Sequence, residues 1–128
     1  MSPPRVLVID DDDGVREIIQ ISLEAAAGWD VAVAASGREG VEMAIATQPD
    51  AILLDMMMPD MDGRATYQVL QNRAETARIP TILLTAKAKS SEKQQFIQEL
   101  GVTGVITKPF DARGLVQQIC ELLDWEIL

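Results

Sequence analysis

Five short apolar runs alternate along the chain with segments of helical length, and this alternation restricts the fold more than any other feature of the sequence. The runs are residues 6–9, 31–34, 51–54, 81–84 and 102–106. Three of them are nearly unbroken in apolar residues, as is typical of parallel strands with helices on both faces. Apolar residues at helical spacing follow each run. The pattern predicts five successive strand–helix units and a parallel α/β sheet, rather than a helical bundle or a β-sandwich.

Residues that commonly cap helices support these boundaries. Ser36, with Glu39 three residues later, has the spacing of a capping box. The other candidate N-caps are Asp13, Asp62, Ser90 or Ser91, and Asp111. Gly28 and Gly101 are placed to end the first and fourth helices.

The composition bounds both the size of the protein and its partners. A chain of 128 residues, 48% of them apolar, is long enough for one core but not for two. We therefore expect a single domain over residues 1–128, with a core at 5–123 and a short tail at 124–128. The net charge of −9 opposes binding to nucleic acids and to anionic lipid surfaces. The sequence contains no histidine, which excludes histidine-based catalytic triads and imidazole zinc sites.

Cysteine usage and the N-terminal sequence predict the compartment. Cys120 is the only cysteine, so the chain cannot form an internal disulfide. The N-terminal segment has the pattern of neither a signal peptide nor a membrane span. We expect a cytoplasmic protein without membrane association.

Polar side chains that could carry chemistry follow the predicted strands. They are Asp10 and Asp11 after the first strand, Asp55 after the third, Thr85 after the fourth and Lys108 after the fifth. Ligands of open parallel sheets bind beyond the carboxyl ends of the strands, near the point where the strand order reverses. Two carboxylates about 4 Å apart repel by roughly 4 kcal/mol at an effective dielectric constant of 20, so three together require a cation or protonation. Mg²⁺ prefers hard oxygen ligands, and the sequence predicts a magnesium site here.

A carboxylate can also act as the nucleophile in phosphoryl transfer, giving an acyl phosphate. Asp55 suits that role because it stands alone at a strand end, whereas the adjacent Asp10 and Asp11 suit metal binding. Lys108 would then pair with the transferred group, and the Thr85 hydroxyl would donate a hydrogen bond to it. A cis bond between Lys108 and Pro109 would aim the lysine inward.

Four segments together resemble a known family: Val-Leu-Val-Ile-Asp-Asp-Asp at 6–12, Leu-Asp-Met-Met-Met-Pro-Asp-Met-Asp-Gly at 54–63, Leu-Thr-Ala at 84–86 and Lys-Pro-Phe at 108–110. The chain is similar over nearly its whole length to the receiver domains of two-component response regulators, and most plainly to the chemotaxis response regulator. The resemblance implies a flavodoxin-like (βα)5 fold with strand order 2-1-3-4-5.

The same resemblance implies roles for individual residues. Asp55 would be phosphorylated by a sensor histidine kinase or a histidine phosphotransfer protein. Asp11 would bind Mg²⁺ directly and Asp10 partly through water, with Asp55 and the backbone carbonyl of Met57 completing the coordination. Thr85 and Lys108 would contact the phosphoryl oxygens. A downstream protein target would bind the face formed by helix 4, strand 5 and helix 5.

Two positions depart from the family pattern. Many relatives carry an aromatic residue or histidine at the switch position where this chain has Val105, so an aromatic rotamer switch is not expected. Met57 occupies a position that tunes the lifetime of the phosphoryl group in the family. Its bulky apolar side chain predicts slow self-hydrolysis.

Several neighbouring residues have simpler interpretations. Asp12 and Asp13 extend the acidic run, but helix capping and a solvated loop explain them better than metal binding. We predict that Arg16 is an exposed helix residue and that Cys120 is an inert buried thiol.

The sequence is compatible with more than one function. The leading prediction is a receiver that acts without an output domain and catalyses only its own phosphorylation and dephosphorylation. The alternative is a small aspartyl-nucleophile phosphatase of the haloacid-dehalogenase type, because Asp11-Asp12-Asp13-Gly14 resembles the start of that family's motif. A calcium-binding loop is excluded, since counting back from Gly14 or Gly63 places an apolar residue at the first ligand position.

Overall fold

The computed structural model describes residues 2–86, 89–108 and 110–126. Five strands and five helices alternate along these residues. They are β1 (Arg5–Ile9), α1 (Asp13–Ala27), β2 (Asp30–Ala34), α2 (Gly37–Thr47), β3 (Ala51–Asp55), α3 (Gly63–Gln71), β4 (Thr81–Ala86), α4 (Ser90–Leu100), β5 (Gly104–Lys108) and α5 (Leu115–Leu123). The alternation of strands and helices predicted from the sequence is confirmed.

The strands form one parallel sheet in the order β2-β1-β3-β4-β5, as predicted. The chain moves outward from β1 in one direction and then, from β3 onward, in the other. A crevice therefore opens between the carboxyl ends of β1 and β3, where ligands of such sheets bind.

Helices cover both faces of the sheet and give the protein two apolar layers. Ile19 of α1 and Ile119 of α5 pack with Val8 on one face. On the other face, residues of α2, α3 and α4 pack against the alternate side chains of the same strands, such as Leu7 and Ile9. Because both faces are buried, the central strands have few polar side chains before their carboxyl ends.

The fifth strand begins later than predicted, at Gly104 instead of Val102. Gly101 ends α4 with a left-handed backbone, φ 81°, and the chain is still turning at Thr103. Val102 is buried in the core from this turn, not from the sheet. Register with β4 starts at Gly104, where a Cβ atom would lie 2.7 Å from the Leu122 side chain. Position 102 is therefore apolar because the residue is buried, although it does not pair with a neighbouring strand.

Four of the predicted helix caps are confirmed. The side chains of Ser36 and Asp62 each accept a hydrogen bond from the backbone N–H three residues later, at 3.1 and 2.8 Å. Gly28, like Gly101, ends its helix in the left-handed conformation, with φ 68°. These positions combine a favourable residue with a helix end, so local sequence was sufficient to locate them.

The other caps differ from the prediction. Asp12, not Asp13, caps α1 by accepting the Val15 N–H at 3.1 Å. Asp111 caps a turn instead of a helix, because α5 begins only at Leu115. Lys89 holds the N-cap position of α4 and makes no side-chain capping bond, so neither Ser90 nor Ser91 is the cap. Within the described residues, no helix has both the length and the apolar character needed to cross a bilayer.

Candidate functional site

The carboxyl ends of β1, β3, β4 and β5 bring the predicted polar residues to one edge of the sheet. Asp10 follows β1 directly, while Asp55 and Lys108 are the last residues of β3 and β5. Thr85 lies one residue before the end of β4 and is buried. The strand order places β1 beside β3, so the two acidic strand ends are neighbours.

Three carboxylates form the centre of this edge. One oxygen each from Asp10, Asp11 and Asp55 lies within 4.8 Å of the other two. Asp10 is fully buried and Asp55 is 4% exposed, whereas Asp11 is exposed to solvent. Burial strengthens the repulsion between these charges, and a hard divalent cation with several water ligands would relieve it. Among the three, Asp11 is the carboxylate that solvent reaches most readily.

Lys108 joins the two buried carboxylates. Its Nζ donates hydrogen bonds to Asp10 Oδ2 at 2.9 Å and to Asp55 Oδ1 at 3.1 Å. Burial by itself lowers the pKa of the lysine, but the hydrogen bonds and charges of the two aspartates outweigh burial and raise it above the ordinary value. The lysine is thus held protonated between Asp10 and Asp55.

Asp55 is the carboxyl group with the most perturbed environment. Burial, the strongest influence, raises its pKa from 3.8 to about 6. The Lys108 hydrogen bond opposes that increase, the charge of Asp10 adds to it, and the backbone N–H of Met57, 3.4 Å from Oδ1, lowers the pKa slightly. A strand-end carboxylate with this environment is a candidate nucleophile, because its charge is poorly solvated.

Arg16 contributes to the site although we predicted an exposed helix residue. Its side chain is only 16% exposed, and Nη1 donates to the backbone carbonyl of Asp10 at 2.7 Å. The guanidinium also bonds the Asp13 carboxylate. The Asp12 N–H donates to Asp10 Oδ1 at 2.9 Å. The Arg16 guanidinium and the Asp12 N–H therefore hold the backbone and the side chain of Asp10 in place. The i,i+3 spacing of Asp13 and Arg16, beside an acidic run, is the sequence feature that could have predicted these contacts of Arg16.

Gly63 supports Asp55 through close backbone packing. A Cβ atom at this position would lie 2.5 Å from the Asp55 carbonyl oxygen and 2.7 Å from Met56 Cα. The Gly63 N–H also donates to the Met56 carbonyl at 3.0 Å. The glycine thus lets the start of α3 fold back against the end of β3. It was noted in the sequence as part of a motif, but this contact was not predicted.

The remaining candidate positions lie around this centre. The Met57 side chain is 73% exposed, and Val105 is buried in the apolar layer on the α2–α3–α4 face. The structure places Val105 against this layer and does not test its predicted role as the switch position. Thr107, the register partner of Thr85, has a buried hydroxyl without a hydrogen-bond partner among the described residues. Pro109 lies outside the described residues, and so does the predicted cis bond.

Known proteins that are similar to this chain in sequence or in structure include regulators of transcription and of chemotaxis. The chain is 39% identical over 120 residues to the DNA-binding dual master transcriptional regulator RpaA of Synechocystis sp., an alignment covering 94% of this chain and 49% of that protein. The chain therefore spans about half the length of that relative. The solved chemotaxis response regulator CheY4 of Vibrio cholerae is 28% identical, with 94% of this chain and 99% of that chain covered and a TM-score of 0.86.

A putative response regulator from Chloroflexus aurantiacus is similar in structure as well. It is 31% identical, with 96% of this chain and 99% of that chain covered and a TM-score of 0.85. The model of the response regulator receiver domain matches residues 6–120, a range that includes every strand end described above. The chain belongs to the response regulator receiver domain family, whose members are signalling domains that interact with histidine kinases or phosphotransfer proteins.

Proposed function

We propose that Asp55 accepts a phosphoryl group from the phosphohistidine of a partner kinase or phosphotransfer protein, and that the modified chain presents a changed protein-binding surface. The observation that carries this proposal is the position of Lys108, whose Nζ bonds both Asp10 and Asp55 beside a third carboxylate. A protonated amine in that position pairs as readily with a phosphoryl oxygen as with a carboxylate.

Receiver domains bind Mg²⁺ at a cluster of aspartates, and the residues of this chain fit that ion. The donors are hard carboxylate oxygens, and the exposed Asp11 leaves room for water ligands. We assign Asp10, Asp11, Asp55 and the Met57 backbone carbonyl as the residues that would hold it. Bound Mg²⁺ would neutralise charge on the phosphoryl oxygens during transfer.

The chain's own residues account for the rest of the step. An Asp55 carboxylate oxygen attacks phosphorus, forming the O–P bond as the N–P bond to the donor imidazole breaks. The electron pair of the broken bond stays on the imidazole nitrogen, and the product on this chain is an acyl phosphate. Lys108 exchanges its contact with Asp55 for one with a phosphoryl oxygen, and the Thr85 hydroxyl donates to another. Catalysis is limited to the chain's own phosphorylation and dephosphorylation.

We further propose that the α4–β5–α5 face binds the downstream target. Thr85 lies one residue before the end of β4, and Lys108 is the last residue of β5. Both strands lie next to this face, so both residues would move when the phosphoryl group arrives. Helix α4 is weakly held: it has no buried side chain among those described, and Ile97 is 38% exposed. A loosely packed helix next to the site can change position without disrupting the core. Val105 would take part in this movement through its apolar packing, because it has no aromatic ring that could change rotamer.

The electrostatics and cysteine content support two narrower proposals. A domain with net charge −9 does not itself bind nucleic acid, because its field repels phosphate. The single buried Cys120 is compatible with a reducing compartment, and we place the phosphotransfer in the cytoplasm.

Phosphorylation with acetyl phosphate, followed by intact-mass measurement, tests the proposed function. The wild-type chain should gain one phosphoryl group in the presence of Mg²⁺, lose it on hydroxylamine treatment, and gain none in EDTA. Asp55→Asn should remain unlabelled. Asp12→Asn is the matched control, since it removes a neighbouring charge but retains a capping side chain, and it should be labelled normally. Labelling of Asp55→Asn to the wild-type level would contradict the assignment.

The same preparation distinguishes the receiver from the hydrolase alternative. A receiver releases at most stoichiometric phosphate from its own acyl phosphate, whereas a phosphatase sustains turnover of p-nitrophenyl phosphate. The family match and the absence of any cap structure among the described elements favour the receiver.

A further inference from the structure

A groove lies at the opposite end of the sheet from the aspartates. It is open, has a volume of about 910 Å³ and runs between the end of α1, the end of α5 and the segment before β1. Its walls include Trp29, Trp125 and Cys120, and its volume lies within the range of small-molecule sites. The residues of this groove play no part in the phosphotransfer proposed above.

Trp125 gives the groove its accessible aromatic surface, because Trp29, which it contacts, is only 8% exposed. Trp29 follows α1 and Trp125 follows α5, and their rings meet edge to face with centroids 5.4 Å apart and planes inclined by 82°. The segment predicted to be a tail thus packs on the core through Trp125. Tryptophan rings attract cations at their faces and apolar groups by contact, so this wall favours a ligand with both properties.

The rim of the groove is strongly negative. Asp50, Asp124 and Glu126 line it, and its described lining residues include no lysine or arginine. The carboxyl ends of α1 and α5 both reach the groove at Gly28 and Asp124, and each carries the negative end of a helix dipole. Neither helix has a basic residue in its last turn to offset that charge.

We propose that this groove binds a small organic cation with an apolar body, such as an aryl- or alkylammonium compound. The ammonium group would lie among the rim carboxylates and helix carboxyl ends, and the apolar body against Trp125. A second copy of the chain does not fit this chemistry, since each copy carries a net charge of −9 and would bring further negative charge to the rim. An anionic ligand is excluded for the same reason.

Tryptophan fluorescence reports directly on occupancy, because Trp29 and Trp125 are the only tryptophans in the chain and both line the groove. The unphosphorylated full chain is titrated with 4-phenylbutylammonium at low salt. We expect a saturable change in emission that weakens as salt is raised. The charge-reversed probe 4-phenylbutanoate and the probe without an aromatic body, butylammonium, should each bind at least about tenfold more weakly.

Variants locate the binding. Asp124→Asn combined with Glu126→Gln should weaken 4-phenylbutylammonium binding by about fivefold or more, because two rim charges are removed. The control Glu92→Gln with Glu99→Gln makes the same charge change on exposed positions of α4 and should leave affinity unchanged. Trp125→Leu, checked for folding by circular dichroism, should weaken binding as well. Isothermal calorimetry supplies a readout that does not depend on the tryptophans.

Three outcomes would overturn the proposal. The first is that 4-phenylbutanoate binds as tightly as 4-phenylbutylammonium. The second is that the rim variant and the α4 variant change the affinity equally. The third is that sedimentation velocity shows the chain to self-associate through the face that carries the tryptophans. Because no phosphoryl group takes part in this test, its result is independent of the proposed role of Asp55.

Discussion

Replacing Asp55 with asparagine should stabilise the metal-free protein. Burial raises the pKa of Asp55 from 3.8 to about 6, so the folded chain binds this proton more tightly than the unfolded chain does. The native state therefore holds more protons than the unfolded state in this window, and stability falls as pH rises through it. Asparagine keeps the shape of the side chain without the buried charge.

The size of the effect follows from the shift in pKa. One pKa unit corresponds to about 1.4 kcal/mol, so the charged carboxylate costs about 1.5 kcal/mol near pH 5 and up to about 3 kcal/mol near pH 8. Loss of the charge-assisted bond from Lys108 offsets part of this gain. We expect Asp55→Asn to be more stable than wild type by about 1–2 kcal/mol near pH 8, with a smaller difference near pH 5.

Urea denaturation in EDTA at the two pH values measures the difference. Asp12→Asn controls for loss of a charge near the site and should show a much smaller gain. Mg²⁺ should reverse the ranking, because a cation at a hundred times its Kd stabilises the wild-type protein by about 2.7 kcal/mol. If Asp55→Asn is no more stable than wild type near pH 8 and the difference does not change with pH, the reasoning about burial is wrong.

Three further predictions concern the surroundings of Asp55. Lys108→Met should lower the stability of the metal-free protein by about 1–3 kcal/mol in urea denaturation, since buried carboxylates lose their cation; an unchanged midpoint would contradict the bridging role. Met57→Asn should lose its phosphoryl group faster than wild type after the donor is removed, and equal rates would refute shielding by the methionine. Gly63→Ala should destabilise the fold by about 2 kcal/mol or more because its Cβ meets backbone atoms, whereas Gly114→Ala, whose nearest contact is 3.8 Å, should be nearly neutral.

The edge at which the site lies could be predicted because of how parallel sheets are built. A strand buried on both faces has few polar residues until it ends, so Asp10, Asp55, Thr85 and Lys108 stand out in the sequence. The carboxyl ends of parallel strands share one edge, so these residues had to be near one another. Their distances and hydrogen bonds depend on the register and on side-chain rotamers, which the sequence pattern does not contain.

Features that depend on contacts between distant segments were missed. Val102 is apolar because it is buried in a turn, and position 104 is a glycine because the Leu122 side chain lies where a Cβ atom would be. Trp29 and Trp125 come from segments far apart in the chain, and the packing of α1 against α5 brings their rings together. Periodicity describes one element at a time and carries no information on such pairs.

The cap of α1 and the exposure of Arg16 were predicted incorrectly for local reasons. Four consecutive aspartates at 10–13 offer several candidate caps for α1, and only the backbone conformation of Asp12, φ −87° and ψ 115°, selects it. Arg16 was expected to be exposed because arginine usually is. Its burial follows from the carbonyl of Asp10, which lies within its reach once α1 packs beside β1.

A crystal structure with Mg²⁺ and beryllofluoride would show directly whether Asp55 is the residue that accepts the phosphoryl group. Beryllofluoride forms the same kind of bond to a carboxylate as a phosphoryl group does, so the adduct should sit on an Asp55 oxygen. Mg²⁺ should be held by Asp10, Asp11 and Asp55, with Lys108 and Thr85 against the fluorine atoms. An Asp55 side chain without the adduct and far from any cation would contradict it.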